Sequence, residues 1–283
     1  MLKYILGGVL LIVVVSISFR WYFGTEKMFY DAVKEELKSV EKGDDEIIVV
    51  EDLESLPELL QNYLKKAGVI DKPRVKFFKV EMTGEMVMDR GKEFAPVKAD
   101  QYTFLESGTR LFYISMDFKG IPINGIHYYN SEEAFMKIKV LDLIKVIDNS
   151  GQMMQKAETV TYFNDLCIMA PGGLLEENIK WEVIDDKQVM GTLSKHGHEV
   201  SAILTFNEDG MLENFISEDR IYIDSKGNSS NIPWSTPMST FGSVGEFHLP
   251  KAGKAIWHFM EEDFTYIHLT LENVSVNTQN YPK

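Results

Sequence analysis

From Pro73 onward apolar side chains fall on alternate positions, and that period of two restricts the fold more than any other property of the chain. Between Arg110 and Phe118, the residues Phe112, Ile114, Met116 and Phe118 alternate with Leu111, Tyr113, Ser115 and Asp117, the pattern of a half-buried strand. Met136, Ile138, Val140, Ile144 and Val146 share one face of a run read as a single strand, Met136 to Val146. Val200, Ala202, Leu204 and Phe206 repeat the alternation, Asn207-Glu208-Asp209-Gly210 supplies a turn, and a further strand is expected from Phe215 to Ile223. Phe264 to Leu271 is apolar on both faces, which places it deep in a sheet. One helix interrupts the strands: in Glu158 to Leu175, Val160, Phe163, Leu166, Cys167 and Ala170 form one face and Pro171-Gly172-Gly173 ends it. The expected fold is therefore mainly β, of the α+β class. It is a curved antiparallel sheet or open half-barrel with that helix across its concave face, because such an arrangement buries both apolar surfaces.

The beginning of the chain is of a different kind. Residues 4 to 19 carry no charge, Lys3 precedes them and Arg20 follows. A bilayer core is crossed by about 20 mainly apolar residues. Extended through Phe23 the run reaches that length, with Trp21 and Tyr22 suited to the interfacial belt and Arg20 to snorkelling. A cleaved signal peptide needs small residues at its processing site, where this chain has Phe19-Arg20-Trp21-Tyr22-Phe23. Cys167, the only cysteine, is too far downstream to carry a lipid anchor.

The expectation is an N-terminal transmembrane helix over residues 1–23, with membrane contact through 4–23. An acidic juxtamembrane helix and linker (24–55), a β-rich domain (56–277) and a tail (278–283) follow. In the linker, Met28, Phe29, Val33, Leu37 and Val40 recur at helical spacing before Gly43-Asp44-Asp45, which reads as an amphipathic stalk helix. A second helix is expected from Leu56 to Ala67, with Pro57 in its first turn and Gly68 just past its end. Lysines lie on both sides of the span, so charge asymmetry does not orient it. Long polar domains translocate largely regardless of charge. A single-pass cell-membrane protein with its bulk outside is expected, and a cytoplasmic domain is the alternative.

A net charge of −14 with no cluster of Lys and Arg argues against a nucleic-acid partner. One cysteine leaves no internal disulfide, and Cys167 among Leu166, Ile168 and Met169 reads as a buried thiol. His196-Gly197-His198 lacks further ligands at metal spacing and reads as a hairpin tip, so no metal is expected. No phosphate-binding loop or nucleophile elbow occurs, and no cofactor is expected.

Two carboxylates interrupt apolar strand faces, Asp142 between Val140 and Ile144, and Asp219 between Phe215 and Ile221. A buried unpaired carboxylate is costly, so each needs a partner or a wet cavity. If the two were close they could act as the acid and base of a hydrolase. Arg220 follows Asp219, so on a regular strand only one of the two lines a given pocket. Trp181, Trp234 and Trp257 stand near turns, where they could line an apolar ligand groove or simply pack.

Tyr162-Phe163-Asn164-Asp165-Leu166, Ala170-Pro171, Leu174-Leu175 and Ile179-Lys180-Trp181-Glu182 follow in one block. Asp219-Arg220, Pro233-Trp234-Ser235-Thr236-Pro237 and Leu249-Pro250 come later. Together they resemble a family of bacterial, often membrane-anchored proteins defined by a domain of unknown function, over about Leu56 to Asn277. Thr161 departs from the pattern, standing where a basic residue is expected before the aromatic pair. The resemblance implies no activity, and the outline is similar to periplasmic lipoprotein carriers. The leading expectation is a membrane-anchored, non-enzymatic domain that binds an apolar or amphiphilic, lipid-like ligand. The alternatives are a hydrolase using Asp142 and Asp219, with Trp181, Arg220 and Trp234 as binding residues of either, and an envelope scaffold.

Overall fold

A computed structural model describes residues 24–41, 46–223 and 228–278. The expected transmembrane segment, 1–23, lies outside the described residues, as does most of the tail. Among the described residues no helix is long and apolar enough to cross a membrane.

The first helix, α1 (Thr25–Ser39), repeats its apolar residues every four positions, and Phe29, Val33 and Leu37 are all buried. It is not a solvated stalk, because that stripe packs on the sheet. The second helix, α2 (Glu58–Ala67), follows Pro57 and stops at Gly68, whose φ of 79° lets its N–H reach the carbonyls of Leu64 and Lys65. The chain then forms a meander of β1 (Phe77–Met86), β2 (Ala95–Phe104), β3 (Thr109–Phe118), β4 (Ile121–Tyr129), β5 (Ala134–Val140) and β6 (Ile144–Ser150). The third helix, α3 (Gln152–Met169), runs into a 3-10 turn at Pro171–Leu175. After it come β7 (Ile179–Val183), β8 (Gln188–Lys195), β9 (His198–Phe206) and β10 (Leu212–Ser217). A two-stranded ribbon, β11 (Ile221–Ile223) and β12 (Ser229–Asn231), precedes β13 (Trp234–Ser235), β14 (Met238–Val244), β15 (Phe247–His258) and β16 (Asp263–Val276).

Fourteen of these strands form one antiparallel sheet. Its order is β6-β5-β4-β3-β2-β1-β16-β15-β13-β10-β9-β8-β7, with β14 also paired to β15. The last strand, β16, thus joins the meander to the second half, as its two-sided apolar character predicts. Along α3, strands near both edges of the sheet are touched, β5 and β6 on one side and β9 and β10 on the other. A helix can do that only inside the curl, so the sheet is an open half-barrel around α3. By contrast α1 packs against β3 and β4, where Phe29, Val33 and Leu37 meet Tyr102, Phe104, Leu111 and Tyr113. Those residues alternate with Gln101, Thr103, Arg110 and Phe112, so α1 covers the outer face.

Two expected strands are broken. Met136–Val146 is a hairpin, because Leu141 and Asp142 take positive φ values of 57° and 58° and reverse the chain. Val140 pairs across it with Ile144, which is why the two still share a face. The ladder then slips: Ile138 pairs with Ile147 but Lys139 with Lys145, leaving one extra residue in β6. That bulge turns Ile147 inward with Ile138 and leaves Val146 exposed, while Ile144 keeps the face of Val140 but stands exposed beside the turn, so neither Ile144 nor Val146 is buried as the alternation predicted. Phe215–Ile223 likewise ends at Ser217 and resumes at Ile221, so Asp219 sits in the break.

Candidate functional site

The inner face carries charge as well as apolar surface. From Met154 to Met169 every residue of α3 except Lys156 is buried, since the sheet wraps it. Glu158 and Asp165 lie about two turns apart, which sets them on one side of the helix. That side faces Arg110 of β3. The Arg110 guanidinium donates from Nε to Asp165 Oδ2 at 2.5 Å, from Nη1 to Glu158 Oε2 at 3.0 Å, and from Nη2 to Gln101 Oε1 at 3.2 Å. Gln101 donates in turn to Asp165 at 2.8 Å, and His127 Nδ1 stands 2.7 Å from Glu158 Oε1. Burial would raise the Glu158 carboxyl, but attraction from His127, Arg110 and Arg220 outweighs it and holds the group down at about 2. Asp165 is pushed the other way: burial raises it, Arg110 and Gln101 only partly offset that, and Glu158 adds like-charge repulsion. For Arg110, burial opposes the charged form, and the two carboxylates more than restore it.

Beside this cluster opens a cavity of about 290 Å³ between α3 and the inner faces of both halves of the sheet. Its walls include seven of the chain's fourteen methionines, among them Met86, Met136, Met154 and Met238. Gln101, Arg110, His127 and Asp165 border it, as does Arg220. Methionine is unbranched and polarizable, so a methionine-lined wall adapts to apolar guests of differing shape.

Of the residues singled out in the sequence, Arg220 and Trp234 meet at this cavity. Trp234 is buried in β13 and pairs across the ladder with Trp257 of β15. Its indole N–H donates to Tyr266 Oη at 3.1 Å. The Arg220 guanidinium carbon lies 4.5 Å from the Trp234 ring centre and 4.9 Å from that of Trp257, a double cation–π contact. Its Nε donates to Thr161 Oγ1 at 3.1 Å, so the departure at Thr161 gives the arginine its hydrogen-bond acceptor. Trp181 packs elsewhere, against Phe163 and over the bare Cα of Gly191, where a Cβ would stand 2.5 Å from the indole.

The two aspartates serve different sites. Asp142 is buried in the β5–β6 turn rather than on a strand face. It accepts the Asn124 amide at 2.9 Å and the Thr25 backbone N–H at 3.2 Å, tying the start of α1 to that turn. Asp219 pairs with Lys156 of α3 at 2.7 Å and accepts the Ser201 N–H at 2.8 Å. Neither borders the cavity, and they sit in different parts of the fold, Asp142 in the β5–β6 turn and Asp219 in the break after β10. The His196 ring packs on Tyr129 and its Nε2 is 3.1 Å from the Gly108 carbonyl. Burial lowers both His196 and His198 below the ordinary imidazole range. Among the described residues no cluster of His, Cys, Asp and Glu could hold a metal ion. Cys167 is buried, and burial pushes its thiol well up.

Residues 46–269 match the model of a family described as of unknown function, DUF6544. No curated protein matches the chain. Solved structures that resemble it include the following three. A domain from Vibrio parahaemolyticus described as a candidate outer membrane lipoprotein-sorting protein is 9% identical, over 78% of this chain and 92% of that one, with a TM-score of 0.42. A DUF1329 family protein from Desulfovibrio piger is 13% identical over the same shares, 78% and 92%, also at 0.42. A LolA superfamily protein from Nitrosomonas europaea is 11% identical over 79% and 97%, at 0.37.

Proposed function

We propose that this chain, which belongs to the DUF6544 family of unknown function, is a membrane-anchored binding domain that holds an apolar or amphiphilic, lipid-like ligand inside its half-barrel. The observation that carries this reading is the cavity itself. A volume of about 290 Å³ sits at the small end of the range of ligand pockets, ~300–1,000 Å³. An ordinary core at close packing leaves few voids larger than a water molecule. Here the space is walled by methionine and aromatic side chains with a few polar groups converging on it, the usual make-up of a small-molecule site.

No chemistry is assigned. Asp165, which borders the cavity, and Glu158, joined to it through Arg110, are engaged by Arg110, Gln101 and His127. Asp142 and Asp219 each hold a different piece of structure in place. Residues 4–23 are proposed as the single-pass anchor, with residues 56–277 as the binding domain on the outer side of the cell membrane. The uncharged run from residue 4 to 19 supports the anchor. Native mass spectrometry of the full chain, released gently from membranes and then extracted with organic solvent, tests the ligand reading. A bound lipid-like species recovered in the extract supports it; a bare protein mass that does not change when lipid is added contradicts it.

A further inference from the structure

We infer that the cavity selects amphiphiles with one chain and an anionic head, and that Arg220 is the residue that receives the head. The inference rests on the ligand reading above and sharpens it to a chemical class. Arg220 borders the cavity with its guanidinium laid on Trp234 and Trp257 and its Nε fixed by Thr161. Among the described residues no carboxylate stands within ion-pair distance of it. Glu158 attracts it from farther off, but the two Glu158 oxygens are taken by Arg110 and His127. Asp165 is likewise held by Arg110 and Gln101, and Asp219, next in sequence, is paired to Lys156. The other cations at the cavity wall are Arg110, which is engaged by Asp165, Glu158 and Gln101, and Lys254, which is exposed.

Arg220 is thus a cation held by aromatic faces and one hydroxyl, with its terminal nitrogens left for a guest. A guanidinium presents two parallel N–H groups that match a carboxylate or phosphate. The cavity volume suits one short chain better than two.

The test is calorimetric titration of the full chain in amphipol with decanoate, decyl phosphate, decanol and decyltrimethylammonium, each below its micelle concentration. The anions are expected to bind at least tenfold more tightly than decanol, and the cation more weakly than decanol. R220M should bring the anions down to the decanol level and leave decanol unchanged. The better of decanoate and decyl phosphate identifies the head. Equal binding of anion and alcohol by the wild type, or an anion preference that survives in R220M, overturns the inference while leaving the ligand reading intact. If decanol and both anions all fail to bind, the ligand reading itself falls. Should R220M lose its fold by circular dichroism, R220K replaces it. Lysine keeps the charge and loses the fork, so an anion preference reduced several-fold supports the role and an unchanged one opposes it.

A separate observation, the distribution of exposed apolar side chains, carries a second inference. The β3–β4 and β5–β6 turns touch through the Leu141 N–H and the Pro122 carbonyl at 2.9 Å, and the β1–β2 loop joins them through Glu93 and Lys119 at 2.9 Å. On this one rim Phe94, Phe118, Ile121, Leu141, Leu143 and Ile144 are all exposed. The start of α1 is fixed to the same rim by Asp142 and Thr25, so the described chain begins here, directly after the apolar run. We propose that this rim seats in the surface of the bilayer that holds the anchor.

The check uses the full chain in phosphatidylcholine vesicles, with an environment-sensitive fluorophore at L143C or, as control, at V183C, exposed at the end of β7 at the opposite edge of the sheet. Spin-labelled lipid should quench the first several-fold more than the second. Equal quenching, or none at L143C in chains that have incorporated, overturns the rim; failure to incorporate counts against the anchor. A doubled mass with L143C shielded by a second copy would also overturn it.

Discussion

The two faces of the half-barrel are covered by helices that obey opposite rules. On the outer face α1 brings three apolar residues, Phe29, Val33 and Leu37, onto a patch of aromatic and aliphatic side chains. On the inner face α3 brings Glu158 and Asp165 against Arg110, beside a cavity. The outer contact is of the kind that stabilises any amphipathic helix, made by three side chains that carry no charge. The inner contact carries two carboxylates and a guanidinium into the interior. A buried ionic cluster is weak evidence of stability, since apolar residues of similar size often do as well. Its presence on the one face that also holds a cavity ties it to the site more than to folding.

That contrast can be broken at its strongest point by R110M. Removing the guanidinium leaves two buried carboxylates without their shared partner and should cost about 3–5 kcal/mol, read from urea unfolding midpoints. Adding D165N should recover part of the loss, because it removes one of the stranded charges. A cost below 1 kcal/mol would mean that the cluster is not the buried network described above.

Acid should separate the faces next. Glu158 is held at about 2 against an ordinary 4.5. Its contribution is therefore present above the ordinary value and is lost as pH falls from about 4.5 toward 2. At about 1.4 kcal/mol per unit the loss is on the order of 3 kcal/mol. Asp165 is raised, so it acts in the opposite sense: its contribution is present below its ordinary value and fades as pH climbs through the higher folded one. Comparing the wild type with E158Q by chemical denaturation at several acidic pH values isolates the first term, and the acid-dependent loss should shrink in E158Q. The smallest expected effect is at the outer face. There V33A removes two buried methyl groups and should cost about 2 kcal/mol, with the same difference from wild type at every pH. A pH-dependent cost for V33A would undo the contrast.

Much of the architecture was legible because a period of two leaves few choices once a helix must be buried too. The resemblance to a family defined by a domain of unknown function also agrees with the DUF6544 match. What misled was parity. Val140 and Ile144 share a face whether the strand runs on or doubles back through Leu141 to Leu143, so alternation concealed the turn that holds Asp142. The apolar face read in α3 was only part of its buried surface, because the curl of the sheet covers nearly the whole helix. The charge cluster was missed, yet two signals pointed to it: Arg110 shares the inward face of Phe112 and Ile114, and Glu158 and Asp165 fall on one side of a helix. Arg220 was legible as a candidate. Its seat was not, because Trp234 and Trp257 meet only through the pairing of β13 with β15.

The central claim is that the inner cavity is an occupied site rather than a packing defect. Titrating an apolar fluorescent naphthylamine into the full wild-type chain and into A157W, which fills the cavity from α3, tests it most directly. The account predicts saturable binding with one site in the wild type and loss of that site in A157W at unchanged secondary structure. Equal binding by both proteins, or no saturable binding by the wild type, would contradict it.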